Sequence, residues 1–115
     1  MPSPIRVGLI GAGYIADWHA TALKATKGVR ITAICDRNAA AAHPLAEAHG
    51  AQVFSDLSDL IASGACDAVH ILTPPDLHRD IAVECLSGGL HVLVEKPVGL
   101  SVAEVEAIET AAQSS

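Results

Sequence analysis

Five short runs rich in aliphatic and β-branched residues recur along the chain, at Ile5 to Ile10, Val29 to Cys35, Gln52 to Phe54, Ala68 to Leu72 and Leu90 to Val94. Between and after them lie stretches with helical spacing, at about 13–26, 38–49, 57–63, 76–87 and 101–113. A strand, a helix that carries the chain back and a further strand beside the first make a βαβ unit, and its repetition implies a parallel sheet with helices on both faces. The runs are continuous rather than alternating, which predicts strands buried on both sides. Tyr14, Trp18 and Phe54 are the only aromatic residues, so the interior has to be built from aliphatic side chains and alanine. A chain of 115 residues with half of them hydrophobic fits one such domain.

Punctuation supports these boundaries. Asp76 and Ser101 are candidate N-caps, Ser101 with Glu104 has the capping-box pattern, and Gly88-Gly89 stops the fourth helix. Val102, Val105, Ile108 and Ala112 fall on one expected face of the last helix. Pro44 is discordant: inside the second helix it has no N–H to donate and presses on the Ala40 carbonyl, so a kink or a late start is expected. The fifth strand, LHVLV, is left as an uncovered apolar edge, a mark of truncation or of a surface covered by a partner, a second copy of the chain included.

Several classes are disfavoured. The formal net charge of −6 leaves no basic stripe for a phosphate backbone, so nucleic acid is not expected as a partner. Cys35, Cys66 and Cys85 are few and scattered, and the six histidines have no ligand spacing, so neither disulfides nor a metal site is expected. No signal peptide or membrane-length apolar run is present, and a soluble protein of the reducing cytoplasm is expected.

The strongest local motif is Gly11-Ala12-Gly13-Tyr14-Ile15-Ala16, which follows the first strand and opens the first helix. In the dinucleotide fingerprint the first glycine makes the tight turn, the second lets a pyrophosphate approach the backbone, and a small third residue packs helix against strand. The phosphates then sit at the helix N-terminus, where unpaired N–H groups and the helix dipole favour anions. Asp36 closes the second strand 20 residues beyond Ala16, where a carboxylate can accept hydrogen bonds from the hydroxyls of the adenosine ribose. That carboxylate repels a 2′-phosphate, so NAD is expected over NADP. Arg37 beside it can pair with a 2′-phosphate or stack on adenine, which keeps NADP open. The fold class is therefore a doubly wound parallel sheet of the Rossmann type.

Two further motifs stand at the ends of later strands: Thr73-Pro74-Pro75-Asp76-Leu77-His78 after the fourth and Glu95-Lys96-Pro97 after the fifth. With GLIGAGYIADWHA at 8–20, they make the chain resemble the Gfo/Idh/MocA oxidoreductases over nearly its whole length. All three motifs lie at carboxyl ends of strands, where open α/β sheets bind ligands, so one cleft is expected to collect them. The prolines stiffen the turn that carries Thr73. The resemblance implies cofactor contacts from Thr73, Pro74, Pro75, His78, Glu95, Lys96 and Pro97, with Lys96 as the catalytic candidate. An ammonium there would stabilise charge on a carbonyl oxygen during hydride transfer. A surface lysine paired with Glu95 is the plainer reading, and a cis bond at Lys96-Pro97 is worth checking. His19 and His78 match histidine positions of the family, whereas His43, His49, His70 and His91 have no pattern.

The resemblance also implies a reaction: hydride transfer between nicotinamide and a secondary alcohol or ketone of a sugar, polyol or related small molecule. Residues 1–115 would be the NAD(P)-binding domain, and the family's β-rich substrate domain, which supplies an acid/base residue, is not in this sequence. A noncatalytic NAD(H)-sensing module and a glycine-loop methyltransferase are the rivals; the Glu95-Lys96-Pro97 motif speaks against the first and the GxGxxA spacing against the second.

Overall fold

The computed structural model describes residues 3–115. Its elements are β1 (Ile5–Ile10), α1 (Tyr14–Lys24), β2 (Val29–Cys35), α2 (Ala39–His49), β3 (Gln52–Phe54), α3 (Leu57–Ser63), β4 (Ala68–Ile71), α4 (His78–Ser87), β5 (His91–Val94) and α5 (Val102–Ser114), with a 3₁₀ turn at Pro75–Leu77 before α4. All strand pairs are parallel, in the order β3-β2-β1-β4-β5. The connection leaves β1 toward β2 on one side and returns to β4 on the other, so the gap between β1 and β4 is the switch point of the sheet.

Two cores follow from this winding. On one face Ala16 and Ala20 of α1 and Ala42, Leu45 and Ala46 of α2 close over Val7, Leu9 and Ile31. On the other, Leu60 of α3 and Ala82 and Cys85 of α4 close over Ile10, Ala33, Val69 and Ile71. Alanines at the contacts let helices lie close to the sheet, which is how a chain so poor in aromatics fills its interior.

Where the structure departs from the expectations, packing is the reason. Pro44 is accommodated without ending α2, because it and Ala40 lie on the exposed side, where water can serve the freed carbonyl. Asp76 is not an N-cap: Pro74 and Pro75 set up a 3₁₀ turn, and α4 starts at His78 without a side-chain cap. Ser101 caps α5 as expected, accepting from Glu104 N at 3.2 Å, while Glu104 reaches past it to accept from Leu100 N at 2.8 Å. The half-buried side of α5 is Glu104, Ala107, Ile108 and Ala111, not the face centred on Val102 and Val105, because the helix leans on α4 with Ile108 packed against the core there. β5 is not covered on both sides. Val92 and Val94 pack toward the α4 core, while His91 and Leu93 stay exposed on the face that α1 and α2 do not reach.

Candidate functional site

The carboxyl ends of β1, β2 and β4 converge on a hollow of about 770 Å³ lined by the glycine turn, Asp36, Arg37, Thr73, Pro74 and the first residues of α3. The two glycines of the turn do different work. Gly11 donates to Cys35 O at 2.7 Å and has φ +103°; a Cβ there would stand 3.0 Å from the Leu72 carbonyl carbon, so the fold itself demands glycine. Gly13 has φ −80°, open to any residue, and a Cβ added to it would meet nothing within 4 Å. The fold makes no such demand at Gly13. No side chain caps α1 there, so the first-turn N–H groups of Tyr14 and Ile15 are left for a ligand. Ala16, fully buried, seats the helix on the sheet.

Asp36 sits where β2 ends and joins two loops. One carboxylate oxygen accepts from Ala12 N at 2.9 Å and the other from Asn38 N at 2.8 Å. Each bond uses one lone pair, so the carboxylate keeps acceptor sites toward the hollow. Arg37 shares that hollow with Asp36, Asp56, Asp80 and Glu84, an acidic setting with a single cation. Cys35 also lines it; burial, and next the nearby Asp36 charge, push its thiol up to about 11.

Thr73 also lines the hollow. Among the described residues, its Oγ1 is the buried side-chain oxygen left without a hydrogen-bond partner. An unpaired buried hydroxyl costs about 1–3 kcal/mol, which a ligand oxygen in the hollow would recover. The residues present therefore fit a dinucleotide: open space at Gly13, uncapped N–H groups on α1, a carboxylate with free lone pairs, and a donor at Thr73.

Behind Thr73 stands His78, 1% exposed, whose Nε2 lies 2.8 Å from Thr73 O and whose Nδ1 lies 2.8 Å from Pro97 O. Both ring nitrogens face carbonyl oxygens, and a neutral ring has one N–H to donate, so His78 hydrogen-bonds one carbonyl and packs against the other between the β4 and β5 loops. The Lys96-Pro97 bond is cis. Glu95 is not paired with Lys96; its Oε2 lies 3.0 Å from His19 Nε2, and His19 Nδ1 lies 2.8 Å from His70 Nδ1. The two imidazoles meet edge to face, with centroids 5.1 Å apart. Burial, then the nearby His19, holds His70 below the usual imidazole range, while Glu95 pulls the other way. Among the described residues no group of three His, Cys, Asp or Glu side chains is arranged to hold a metal ion.

Of the residues singled out in the sequence, Gly11, Gly13, Asp36, Arg37, Thr73 and Pro74 line the hollow. Tyr14, Ile15, Ala16, Pro75, His78, Glu95, Lys96 and Pro97 lie outside its lining. Tyr14 is 76% exposed and points no buried side chain toward the hollow. The reading of the sequence gave His70 no role and missed its link through His19 to Glu95. The available signal was an imidazole interrupting the apolar run Ala68 to Leu72.

Fold and cleft together define a dinucleotide-binding α/β domain. The oxidoreductase family with an NAD-binding Rossmann fold, GFO_IDH_MocA, matches residues 5–115, and the chain belongs to this family. It is 41% identical to inositol 2-dehydrogenase of Corynebacterium glutamicum (strain R) over 100 residues, 85% of this chain and 30% of that protein. It is 36% identical to the NADP⁺-named scyllo-inositol 2-dehydrogenase IolU of Bacillus subtilis over 111 residues, 96% of this chain and 34% of that one. The WlbA dehydrogenase of Bordetella pertussis, solved with NADH and UDP-GlcNAcA, superposes with a TM-score of 0.91 at 35% identity, over 96% of this chain and 35% of that one. The chain spans about a third of the length of the curated relatives it matches. These dehydrogenase names lend the noncatalytic reading no support. Among the described residues no helix is long and apolar enough to cross a membrane.

Proposed function

We propose that this chain binds NAD(H) across the carboxyl ends of β1, β2 and β4, as the nucleotide-binding part of a dehydrogenase acting on a sugar, polyol or related small molecule. The observation that carries the reading is Gly13: the backbone does not need glycine there, and the space a side chain would take lies before the uncapped end of α1. A pyrophosphate accounts for both facts. Asp36, supported by the acidic lining of the hollow, receives the ribose hydroxyls and favours NAD over NADP. The Thr73 hydroxyl donates to the bound nucleotide and so loses its orphan status.

When bound, the nicotinamide ring supplies the hydride acceptor or donor. Lys96, exposed beyond the end of β5, presents its ammonium to the substrate oxygen, where it lowers the energy of the charge that builds as the alcohol becomes a carbonyl. Proton transfer and substrate selection fall to a further domain in the whole protein, in keeping with the greater length of the relatives. A chimera tests this. Residues 1–115 replace the matching segment of the C. glutamicum inositol 2-dehydrogenase, and NADH formation from inositols is followed. Turnover that disappears in Lys96→Met, with NADH binding kept, supports the reading. A folded, NADH-binding chimera that turns over equally well with Lys96→Met contradicts the role of Lys96, and one that never binds NADH contradicts the whole.

A further inference from the structure

The Lys96 side chain makes no hydrogen bond or ion pair among the described residues, yet the residues on both sides of it are held from different parts of the fold. On the amino side, Glu95 N donates to Ile71 O at 3.1 Å, which continues the β4–β5 ladder. The Glu95 carboxylate is caught by His19, four residues into α1 past Ile15 and so on the same helix whose first turn faces the hollow. On the carboxyl side, Pro97 O lies 2.8 Å from His78 Nδ1, the ring whose other nitrogen faces the Thr73 carbonyl.

Proton bookkeeping assigns the first clamp a direction. A carboxylate only accepts, so His19 Nε2–H donates to Glu95, and in the neutral ring His19 Nδ1 then accepts from His70 Nδ1–H. His70, rooted in β4 and half-buried, thereby fixes both the tautomer and the plane of the His19 ring. This is the arrangement of a ring that orients a group by being oriented itself. The partner groups of His19 come from 51 and 76 residues away, so the clamp exists only when sheet and helix are assembled. A surface glutamate serving solubility alone would have no need of it.

We propose that His19, backed by His70, is a positioning residue: it locks Glu95 so that the adjacent Lys96 is presented to the cleft from a fixed backbone, with His78 holding the far side of the turn. The proposal rests on the reading of Lys96 as a working group of the site, but its test is made on the free chain, without nucleotide. A failure of NADH binding therefore leaves it standing or falling on its own result.

The chain has three lysines, Lys24, Lys27 and Lys96, so reductive ¹³C-methylation gives a lysine spectrum simple enough to assign with Lys96→Arg. In His19→Phe, which keeps the ring's bulk and removes both hydrogen bonds, the Lys96 signal shifts and sharpens while those of Lys24 and Lys27 stay in place. The Glu95 amide, bonded to Ile71 O, then exchanges about tenfold faster or more, the factor that loss of one charge-assisted hydrogen bond produces. His19→Gln, whose carboxamide can donate to Glu95 and accept from His70, restores both readouts. If His19→Phe does not fold, Glu95→Ala, at a partly exposed position, releases the same clamp and is expected to give the same two changes. Unchanged Lys96 signal and exchange in the folded variant overturn the proposal. So does an equal disturbance of all three lysines, which would mark His19 as a general packing residue.

Discussion

The two glycines of the turn separate what the fold needs from what a ligand needs, and paired substitutions measure the separation. In Gly11→Ala the new methyl meets the Leu72 and Thr73 backbone at 3.0–3.1 Å from a φ of +103°. A non-glycine residue in such a region costs about 1–3 kcal/mol before the contact is counted. For a domain of this size that lowers the melting temperature by roughly 4–12 °C. In Gly13→Val the extended backbone suits the new residue and the space is empty. A gain of about 0.4–1 kcal/mol from restricting the unfolded chain opposes a similar loss at the N-cap, where glycine is preferred to aliphatic residues. Its net change is about zero. Nucleotide binding should show the opposite contrast: Gly13→Val displaces the pyrophosphate from two α1 N–H groups, each bond to a charged group contributing about 1.5–3 kcal/mol, so NADH affinity falls about 100-fold or more. Thermal melts and calorimetric titration of the two variants decide it. A Gly13→Val chain that binds NADH like the parent, or that melts as low as Gly11→Ala, rules out this division of roles between the two glycines.

Other consequences concern stability and reactivity. Pro44→Ala should restore a hydrogen bond to the exposed Ala40 carbonyl and raise stability by about 1–3 kcal/mol in urea unfolding; a lower midpoint would mean that Pro44 is needed where it stands. His70 is held below its usual range by burial, so the unfolded chain binds more protons than the folded one once the pH drops below about 6.5. Its contribution is complete above that pH and is lost as the pH falls toward the folded value. In His70→Phe the decline of stability below about pH 6.5 should be shallower, and an unaltered slope would assign the decline to other groups. Burial pushes Cys35 up to about 11 and Cys85 up to about 12, which leaves about one thiolate in a thousand or fewer at pH 8. Alkylation of these thiols should be slow in the native chain and fast in denaturant; prompt native labelling would contradict their seating in the α4 core.

How much of this could be read in advance depended on how local the cause was. β1 and β2 match their expected bounds because each is a long apolar run between turn residues, and the Gly11 turn is visible because a backbone constraint leaves its mark on one residue. The start of α4 was misplaced because Asp76 satisfies the local cap rule, while Pro74 and Pro75 impose a 3₁₀ turn that delays the helix to His78. The half-open β5 could not be told from a covered one, since the difference lies in which helix reaches over it and not in LHVLV itself. Least legible was the clamp on Glu95. His19, His70 and Glu95 are separated by an entire βαβ winding, and an isolated imidazole carries no sign of the partner it will meet.

Everything proposed for this chain depends on NAD(H) binding in the cleft at the β1–β4 switch point, with Asp36 setting the preference. It is tested most directly by calorimetric titration of the chain with NADH and then NADPH, repeated in Asp36→Ala. Saturable NADH binding is expected, with weaker NADPH binding and a loss of the difference in the variant, whose stability also drops because Ala12 N and Asn38 N lose their acceptor. A folded chain that binds neither nucleotide, or that prefers NADPH with Asp36 in place, would contradict it.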